Sequence, residues 1–241
     1  MIPRPIDTSF DFRTEPNCKV DPDRRSPTLQ KYQALLFTKP LPSGAMFTLS
    51  DKTSGLDRVL IYESEVEAFE LSSDTIVNSS KGPLKAFYEL MPAEANLAWH
   101  RSSIGARILF PSTALNGWTI NQARGMHPAI KDRFDLTLEA IRRHYAGDES
   151  PLSDVMARYD DFFRLFETFE GYVHFFLLDD LVRHDGSIRF YVPFDDYVKP
   201  PLPATFDDYV AFRKAQVEFV VARNQRIDVY QATHLASAAS A

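Results

Sequence analysis

The alternation of apolar and polar residues divides the chain into a first half of short strands and a second half of helices. In the first half, three short apolar runs are separated by turn-forming Ser, Asp and Gly, a pattern that predicts a β-meander. The predicted strands run from Met46 to Leu49, from Arg58 to Tyr62 and from Ala68 to Leu71. A helix is predicted before them, because Ser26-Pro27 supplies an N-cap and a first-turn proline.

Asn116-Gly117 is the clearest local turn signal in the chain, since type I′ hairpin turns prefer this pair. Apolar runs over 107–115 and 118–121 flank it, so the sequence predicts a β-hairpin that leads into a further helix. An earlier helical pattern from Pro83 to His100 is expected to be interrupted by Pro92.

Apolar residues at helical spacing dominate the rest of the chain. The first of these helices is predicted to stop at Gly147, because glycine adopts the left-handed conformation that commonly ends a helix. Three further predictions are a helix capped by Ser150-Pro151, a central apolar helix over 172–182, and a strand over 187–192 after an Asp185-Gly186 turn. The last helix is predicted to run from Thr205, with Asp208 at capping-box spacing, to about Ala222.

These elements predict an α+β fold in which a small antiparallel sheet from the N-terminal half packs on a helical C-terminal half. The chain shows no internal repeat and no Gly- or Ser-rich linker, so residues 26–230 are predicted to form a single domain. Residues 1–25 are predicted to form an extended arm, and the Ala/Ser-rich residues 231–241 a disordered tail.

Composition narrows the function classes. With 44% hydrophobic and 25% charged residues the chain is an ordinary globular protein, and 19 Phe and 10 Tyr predict an aromatic core. A net charge of -6 argues against an extended phosphate-binding face, so nucleic acid is not the expected partner. Cys18 is the single cysteine, which excludes an intramolecular disulfide and fits a reducing cytoplasm. The sequence shows no signal-peptide pattern and no membrane-spanning stretch.

A group of polar and basic residues is the best candidate for a ligand site. Asn121, Arg124 and His127 lie where the predicted hairpin meets the next helix, whose first N–H groups and dipole favour an anion. Arg124, Arg133 and Arg142 are predicted to clamp a phosphate or carboxylate, which guanidinium groups bind through parallel hydrogen bonds. The alternative is that these arginines pair with carboxylates of the protein itself.

His127 and His144 are the candidate proton carriers, because histidine titrates near neutral pH. His144 lies at a predicted helix end, where stabilisation of the helix dipole is the simpler role. The tandem acids Asp160-Asp161 and Asp179-Asp180 are expected to be solvated, since adjacent helical residues point in different directions. No metal site is therefore predicted, and no glycine-rich nucleotide fingerprint is present to identify a cofactor.

Five stretches of sequence carry a resemblance. They are FELSSDTI (69–76), TINQARG (119–125), DRFDLTLEAIRRHY (132–145), SPLSDVMARYDDFF (150–163) and GYVHFFLLDDLV (171–182). Over most of its length the chain resembles an uncharacterised family of bacterial hypothetical proteins. The resemblance implies a bacterial or phage origin, and it implies no activity, fold or catalytic residue.

The sequence leaves two functional hypotheses open. The first is an intracellular protein that binds, or as an enzyme processes, a phosphorylated small molecule or nucleotide at the cluster of Asn121, Arg124, Arg133 and Arg142. The second is a non-enzymatic interaction or regulatory protein of bacterial or phage origin, in which the same charges dock a protein partner. The absence of a recognised catalytic motif favours the second. Convergence of the four residues in one pocket would favour the first.

Overall fold

The computed structural model shows an α+β protein with a four-stranded antiparallel sheet in the N-terminal half and helices in the C-terminal half. This is the fold class that the sequence predicts. The description covers residues 5–16, 18, 21–77, 82–92, 102–113 and 115–239, with the backbone alone for 234–239.

The sheet is a meander in which each strand pairs antiparallel with the next along the chain. Its strands are β1 (Thr48–Ser54), β2 (Asp57–Glu63), β3 (Ala68–Thr75) and β4 (Arg107–Pro111). The first three confirm the predicted meander. However, β1 lies further along the chain than predicted, because all seven of its residues are exposed and no apolar alternation marks them.

The described residues contain nine α-helices, joined by turns and by short 3-10 segments. They are α1 (Pro22–Arg25), α2 (Pro27–Phe37), α3 (Lys85–Leu90), α4 (Ile120–Met126), α5 (Phe134–Ala146), α6 (Ser153–Arg158), α7 (Asp160–Arg164), α8 (Phe169–Phe175) and α9 (Phe206–Ala239). Two predicted helix boundaries are confirmed. Ser26 caps α2 by accepting the Leu29 N–H at 3.0 Å, and Gly147 ends α5 with a φ of 75°. Within the predicted helix from Pro83 to His100, residues 93–100 lie outside the described part of the chain.

The predicted β-hairpin at Asn116-Gly117 is wrong. Both residues have positive φ, as a turn requires, but the following residues start α4 instead of a second strand. Thr119 accepts the Gln122 N–H at 3.3 Å, and the Gln122 side chain accepts the Thr119 N–H at 2.9 Å. This capping box satisfies two N–H groups at the start of the helix, and it outweighs the hairpin signal of the turn.

Two further predictions in the second half are wrong. The apolar run 172–182 is not one helix, because α8 ends at Phe175 and the carbonyls of His174 and Phe175 accept hydrogen bonds from the Lys39 amine. The predicted strand over 187–192 is reduced to a single bridge between Val182 and Ile188.

The last helix is longer than predicted. It begins as expected, with Thr205 accepting the Asp208 N–H at 3.2 Å. It then continues to Ala239, beyond the predicted end near Ala222 and through most of the stretch for which a disordered tail was predicted. Alanine, the best helix former, is frequent in that last part.

The centre of the core is aromatic, as the composition predicts. The rings of Tyr172 and Phe176 lie 4.7 Å apart between centroids, and those of Phe166 and Phe176 lie 5.2 Å apart. Phe162 and Phe163 are buried beside them. Aromatic pairs at these separations add about 0.5 to 1.5 kcal/mol each beyond their burial. This cluster fixes the position of α8, whose first turn lines two surface clefts.

Arg223 of α9 ties the sheet and the helices together from within the core. Its guanidinium is fully buried and donates to the carbonyl of Phe176 at the end of α8 and to the hydroxyl of Tyr32 in α2, both at 2.8 Å. It also donates to the carbonyls of Gly105 and Arg107 at the start of β4. One side chain therefore links four segments of the fold.

Candidate functional site

Arg124, the central residue of the predicted anion site, is fully buried. Its Nη1 atom forms an ion pair with Asp74 of β3, Nη2 donates to the Asp132 carbonyl at 3.0 Å, and Nε donates to the Thr137 hydroxyl at 3.3 Å. The ring of Phe134 covers the guanidinium at 5.9 Å. Arg124 is therefore neutralised by the protein itself and holds β3 to the start of α5.

Arg133 is likewise engaged within the fold. It is buried and forms a two-bond ion pair with Asp135, and its Nη1 atom donates to the Pro201 carbonyl at 2.9 Å. Asp135 also accepts the Tyr191 N–H at 2.9 Å. The pair fastens the start of α5 to two loops, and the Arg133 side chain is only 3% exposed, so it is not accessible to a ligand from solvent.

Of the three predicted arginines, Arg142 lines a cavity. Its Nε and Nη2 atoms each donate to Glu139 at 2.8 Å, and this hydrogen bonding raises the pKa of Arg142. Glu139 also accepts from Arg143 at 2.9 Å, so one buried carboxylate holds two guanidinium groups. Arg142 lies nine residues beyond Arg133 on α5, a separation of roughly 13 Å along the helix.

Asn121 is the fourth predicted ligand residue. Its amide nitrogen donates to the Ser72 hydroxyl of β3 at 2.8 Å, which docks the first turn of α4 on the sheet. Its side-chain oxygen is buried without a hydrogen-bond partner in the described chain. Asn121 thus lies against the sheet, while Arg142 lies at a cleft whose lining does not include Asn121, Arg124 or Arg133. The four predicted residues do not line that cleft together.

The two predicted proton carriers have local structural contacts. His127 ends α4, and its Nδ1 atom accepts the Ala129 N–H at 3.2 Å. His144 lies in the last turn of α5, with Nε2 3.2 Å from Asp160 and its ring 5.0 Å from that of Phe163. His144 therefore joins α5 to α7, whereas the His127 contact stays within the turn after α4.

A different cavity is lined by five basic residues. It has a volume of about 650 Å³ and lies between α8, the turn after Val182 and the middle of α9. We call it the basic cleft, after its basic lining residues His174, Arg183, His184, Arg189 and Arg226.

A short turn presents two of these arginines. Arg183 follows Val182 and Arg189 follows Ile188, the two residues that form the isolated β-bridge. The Arg183 N–H donates to the Ser187 carbonyl and the Arg189 N–H to the Leu181 carbonyl, each at 2.8 Å. The turn between them closes at Gly186, with a φ of 79°, which confirms the predicted Asp185-Gly186 turn.

The arginines of the basic cleft differ in how far the protein neutralises them. Arg226 is held by both carboxylate oxygens of Asp180, at 2.9 and 3.0 Å. Arg183 donates to the Ile188 carbonyl at 2.6 Å and has no carboxylate within ion-pair distance among the described residues. The Arg189 guanidinium is exposed and makes no hydrogen bond or ion pair with the described chain. Arg183 and Arg189 therefore keep donors for an external anion.

Three acidic residues, Glu170, Asp179 and Asp180, also line the basic cleft. Asp179 and Asp180 lie next to Arg226, and Asp179 is 3.8 Å from His174. Glu170 has no basic partner among the described residues. The three acidic residues equal the three arginines of the lining in number, so the formal charges balance. Arg183 and Arg189 are the two arginines of this lining that have no carboxylate at ion-pair distance among the described residues.

The sequence prediction missed the basic cleft, although one signal for it was present. The segment Arg183 to Arg189 places two arginines and a histidine around an Asp-Gly turn, and such a turn brings the flanking side chains together. Arg226 could not have been assigned to the same place, because it lies on α9, more than thirty residues later in the chain.

No helix within the described residues is long and apolar enough to cross a membrane. Neither the curated proteins nor the solved structures give a match to the chain. The sequence does match a family of unknown function (DUF6994) over residues 6–227, which is most of its length. The chain therefore belongs to this family, as the resemblance of its motifs to an uncharacterised family predicts.

Proposed function

We propose that the protein binds a small phosphorylated molecule, or a small molecule with a comparable anionic group, in the basic cleft. The observation that carries the proposal is the pair Arg183 and Arg189. Both line a cavity of about 650 Å³, and neither has a carboxylate within ion-pair distance in the described chain. The proposed ligand is still an anion, as in the first hypothesis from the sequence, but the proposed site is the basic cleft and not the surroundings of Arg124.

The chemistry of guanidinium groups supports an oxyanion as the ligand. Each arginine offers a planar fork of N–H donors that matches two oxygens of a phosphate or carboxylate. Hydrogen bonds to charged groups contribute about 1.5 to 3 kcal/mol each, so the loss of one arginine should weaken binding roughly 10- to 100-fold. The Arg183 donors are partly oriented in advance, because its Nη1 atom is fixed on the Ile188 carbonyl.

A thermal-shift measurement tests this proposal. Inorganic phosphate and pyrophosphate should raise the unfolding temperature of the wild-type protein, since a ligand that binds only the folded state stabilises it. Arg189→Ala should remove most of that increase without changing the unfolding temperature of the free protein, because the side chain makes no internal hydrogen bond or ion pair with the described residues. Arg58→Ala is the matched control, an exposed arginine on β2 that pairs with Asp51.

The second hypothesis is a non-enzymatic interaction protein. Arg124 and Arg133 are buried and paired with internal carboxylates, so a protein partner would have to use other groups than the ones that the sequence assigned to it. A failure of every tested anion to stabilise the wild-type protein would favour this hypothesis over the first.

With either function we propose a cytoplasmic location, which the free and buried thiol of Cys18 supports.

A further inference from the structure

A second cleft, of about 620 Å³, adjoins the basic cleft. The two share Phe169 and Glu170 in the first turn of α8, so they meet there. The turn after Val182 separates them beyond that point. Its residues Arg183, His184 and Arg189 line the basic cleft, whereas residues 185–188 line the second one. A molecule that enters one cleft therefore has the other within reach.

The apolar lining of the second cleft is aromatic. We call it the aromatic cleft, after its residues Tyr145, Phe169, Phe190 and Phe194. The rings of Phe190 and Phe194 are stacked, with centroids 4.3 Å apart and planes inclined by 18°. Both residues are only partly buried. The Phe194 ring also contacts Arg143 and Tyr197, so Phe190 is the ring of the pair on which a planar ligand would stack.

The polar lining of the aromatic cleft consists mainly of hydrogen-bond acceptors. Glu167, Glu170 and Asp185 have no cationic partner at ion-pair distance in the described chain. Hydrogen bonds from Ser187 lower the pKa of Asp185, whose carboxylate therefore stays ionised. Arg142, the arginine of this lining, is already held by Glu139. The aromatic cleft thus repels a second anionic group and accepts N–H and O–H donors.

From these two linings we infer that the ligand is a nucleotide, with its phosphate in the basic cleft and its base in the aromatic cleft. The inference rests on the proposed function, because it assumes that Arg183 and Arg189 hold the phosphate. A nucleobase is planar, carries amino or ring N–H donors and has no charge at neutral pH. It therefore fits a lining of rings and carboxylates that a second phosphate does not fit. The ribose hydroxyls are further donors for Glu170, which lines both clefts.

The experiment compares ligands that contain one or both parts. Isothermal titration calorimetry would measure inorganic phosphate, ribose 5-phosphate, guanosine, and guanosine and adenosine monophosphate against the full chain. Stacking on an aromatic side chain contributes about 1 to 3 kcal/mol per base, so the nucleotides should bind roughly 5- to 150-fold tighter than ribose 5-phosphate. Phe190→Leu should remove most of this difference in affinity and leave the affinity for ribose 5-phosphate unchanged. Arg189→Ala should lower the affinity for every phosphorylated ligand.

Phe10→Leu is the matched control for Phe190→Leu, because Phe10 is also a partly buried phenylalanine but does not line the aromatic cleft. Equal affinity of nucleotides and ribose 5-phosphate would overturn the inference and leave the proposed anion site in place. Lack of binding by any phosphorylated ligand would overturn both. If Phe190→Leu changes the unfolding temperature, Asp185→Asn gives a second test. The amide oxygen of this variant can still accept the hydrogen bonds from Ser187. If nucleotides lose their advantage in affinity over ribose 5-phosphate in this variant, the contact between the base and the Asp185 carboxylate is supported; an unchanged advantage contradicts it.

Discussion

The assignment of Arg124 to the fold, and not to a ligand, predicts a large stability loss when its guanidinium is removed. In Arg124→Met the apolar side chain fills part of the space, but Asp74 loses its cationic partner and the Thr137 hydroxyl and the Asp132 carbonyl lose a donor. Removal of one partner from a buried ion pair typically costs about 3 to 5 kcal/mol. The Asp74 side chain is 29% exposed, so water partly compensates it and the expected cost is about 3 kcal/mol.

Urea denaturation followed by far-UV circular dichroism measures this cost. Domains of this kind have unfolding free energies of about 5 to 15 kcal/mol, so the variant should still fold. A loss of about 3 kcal/mol with a urea dependence of about 2 kcal/mol per molar shifts the midpoint by roughly 1.5 M. Arg124→Lys keeps the charge but loses the planar set of N–H donors of the guanidinium, so its urea midpoint should lie between those of Arg124→Met and the wild type.

A double-mutant cycle separates the ion pair from other effects of the substitution. Asp74→Ala and Arg124→Met should be less damaging together than the sum of the single changes, with a coupling of about 1 to 3 kcal/mol. Phosphate affinity should be the same in Arg124→Met as in the wild type. An unchanged urea midpoint combined with lost phosphate binding would refute the reasoning, since that outcome is expected of a ligand residue.

Three further predictions concern single residues. Arg223→Met should lower the unfolding free energy by about 2 to 4 kcal/mol, because several buried carbonyls lose their donor; an unchanged urea midpoint would contradict this. Gly147→Ala should lower the unfolding free energy by about 1 kcal/mol, which is the backbone cost of a positive φ alone, since an added Cβ would have no atom within 4 Å to clash with. Calorimetry of this variant beside Ala146→Gly measures the cost. Burial lowers the pKa of Lys39 to about 7, so between that value and its ordinary 10.5 the unfolded state binds more protons. The stability of the wild type relative to Lys39→Met should therefore rise with pH across this window. The same difference between the urea midpoints of the two proteins at pH 6 and at pH 9 would contradict this prediction.

The fold could be predicted from the sequence where the signals are local. Ser26-Pro27, Gly147 and Asp185-Gly186 each fix the backbone of a few residues, and the structure uses all three as predicted. The prediction failed at Asn116-Gly117 because two local signals competed there. The capping box that begins at Thr119 supplies hydrogen bonds to backbone groups, whereas the turn alone does not decide between a strand and a helix as the next element.

The candidate site could not be predicted in the same way, because the neutralisation of a charge depends on distant residues. Asp74, the partner of Arg124, lies fifty positions earlier in the chain and meets it only when α4 docks on β3. Arg133 and Asp135 are two residues apart in the sequence, so their ion pair was easier to predict than that of Arg124 and Asp74. The basic cleft requires α8, α9 and the Asp185-Gly186 turn to be in place before its arginines come together.

The most direct measurement of the central claim is a phosphate titration followed by NMR of the arginine Nε–Hε groups, assigned through single Arg→Lys variants. The account predicts that the signals of Arg183 and Arg189 shift in a saturable way, while those of Arg124 and Arg133 stay in place because their guanidinium groups are buried and paired. Shifts at Arg124 or Arg133 without shifts at Arg183 and Arg189 would contradict it.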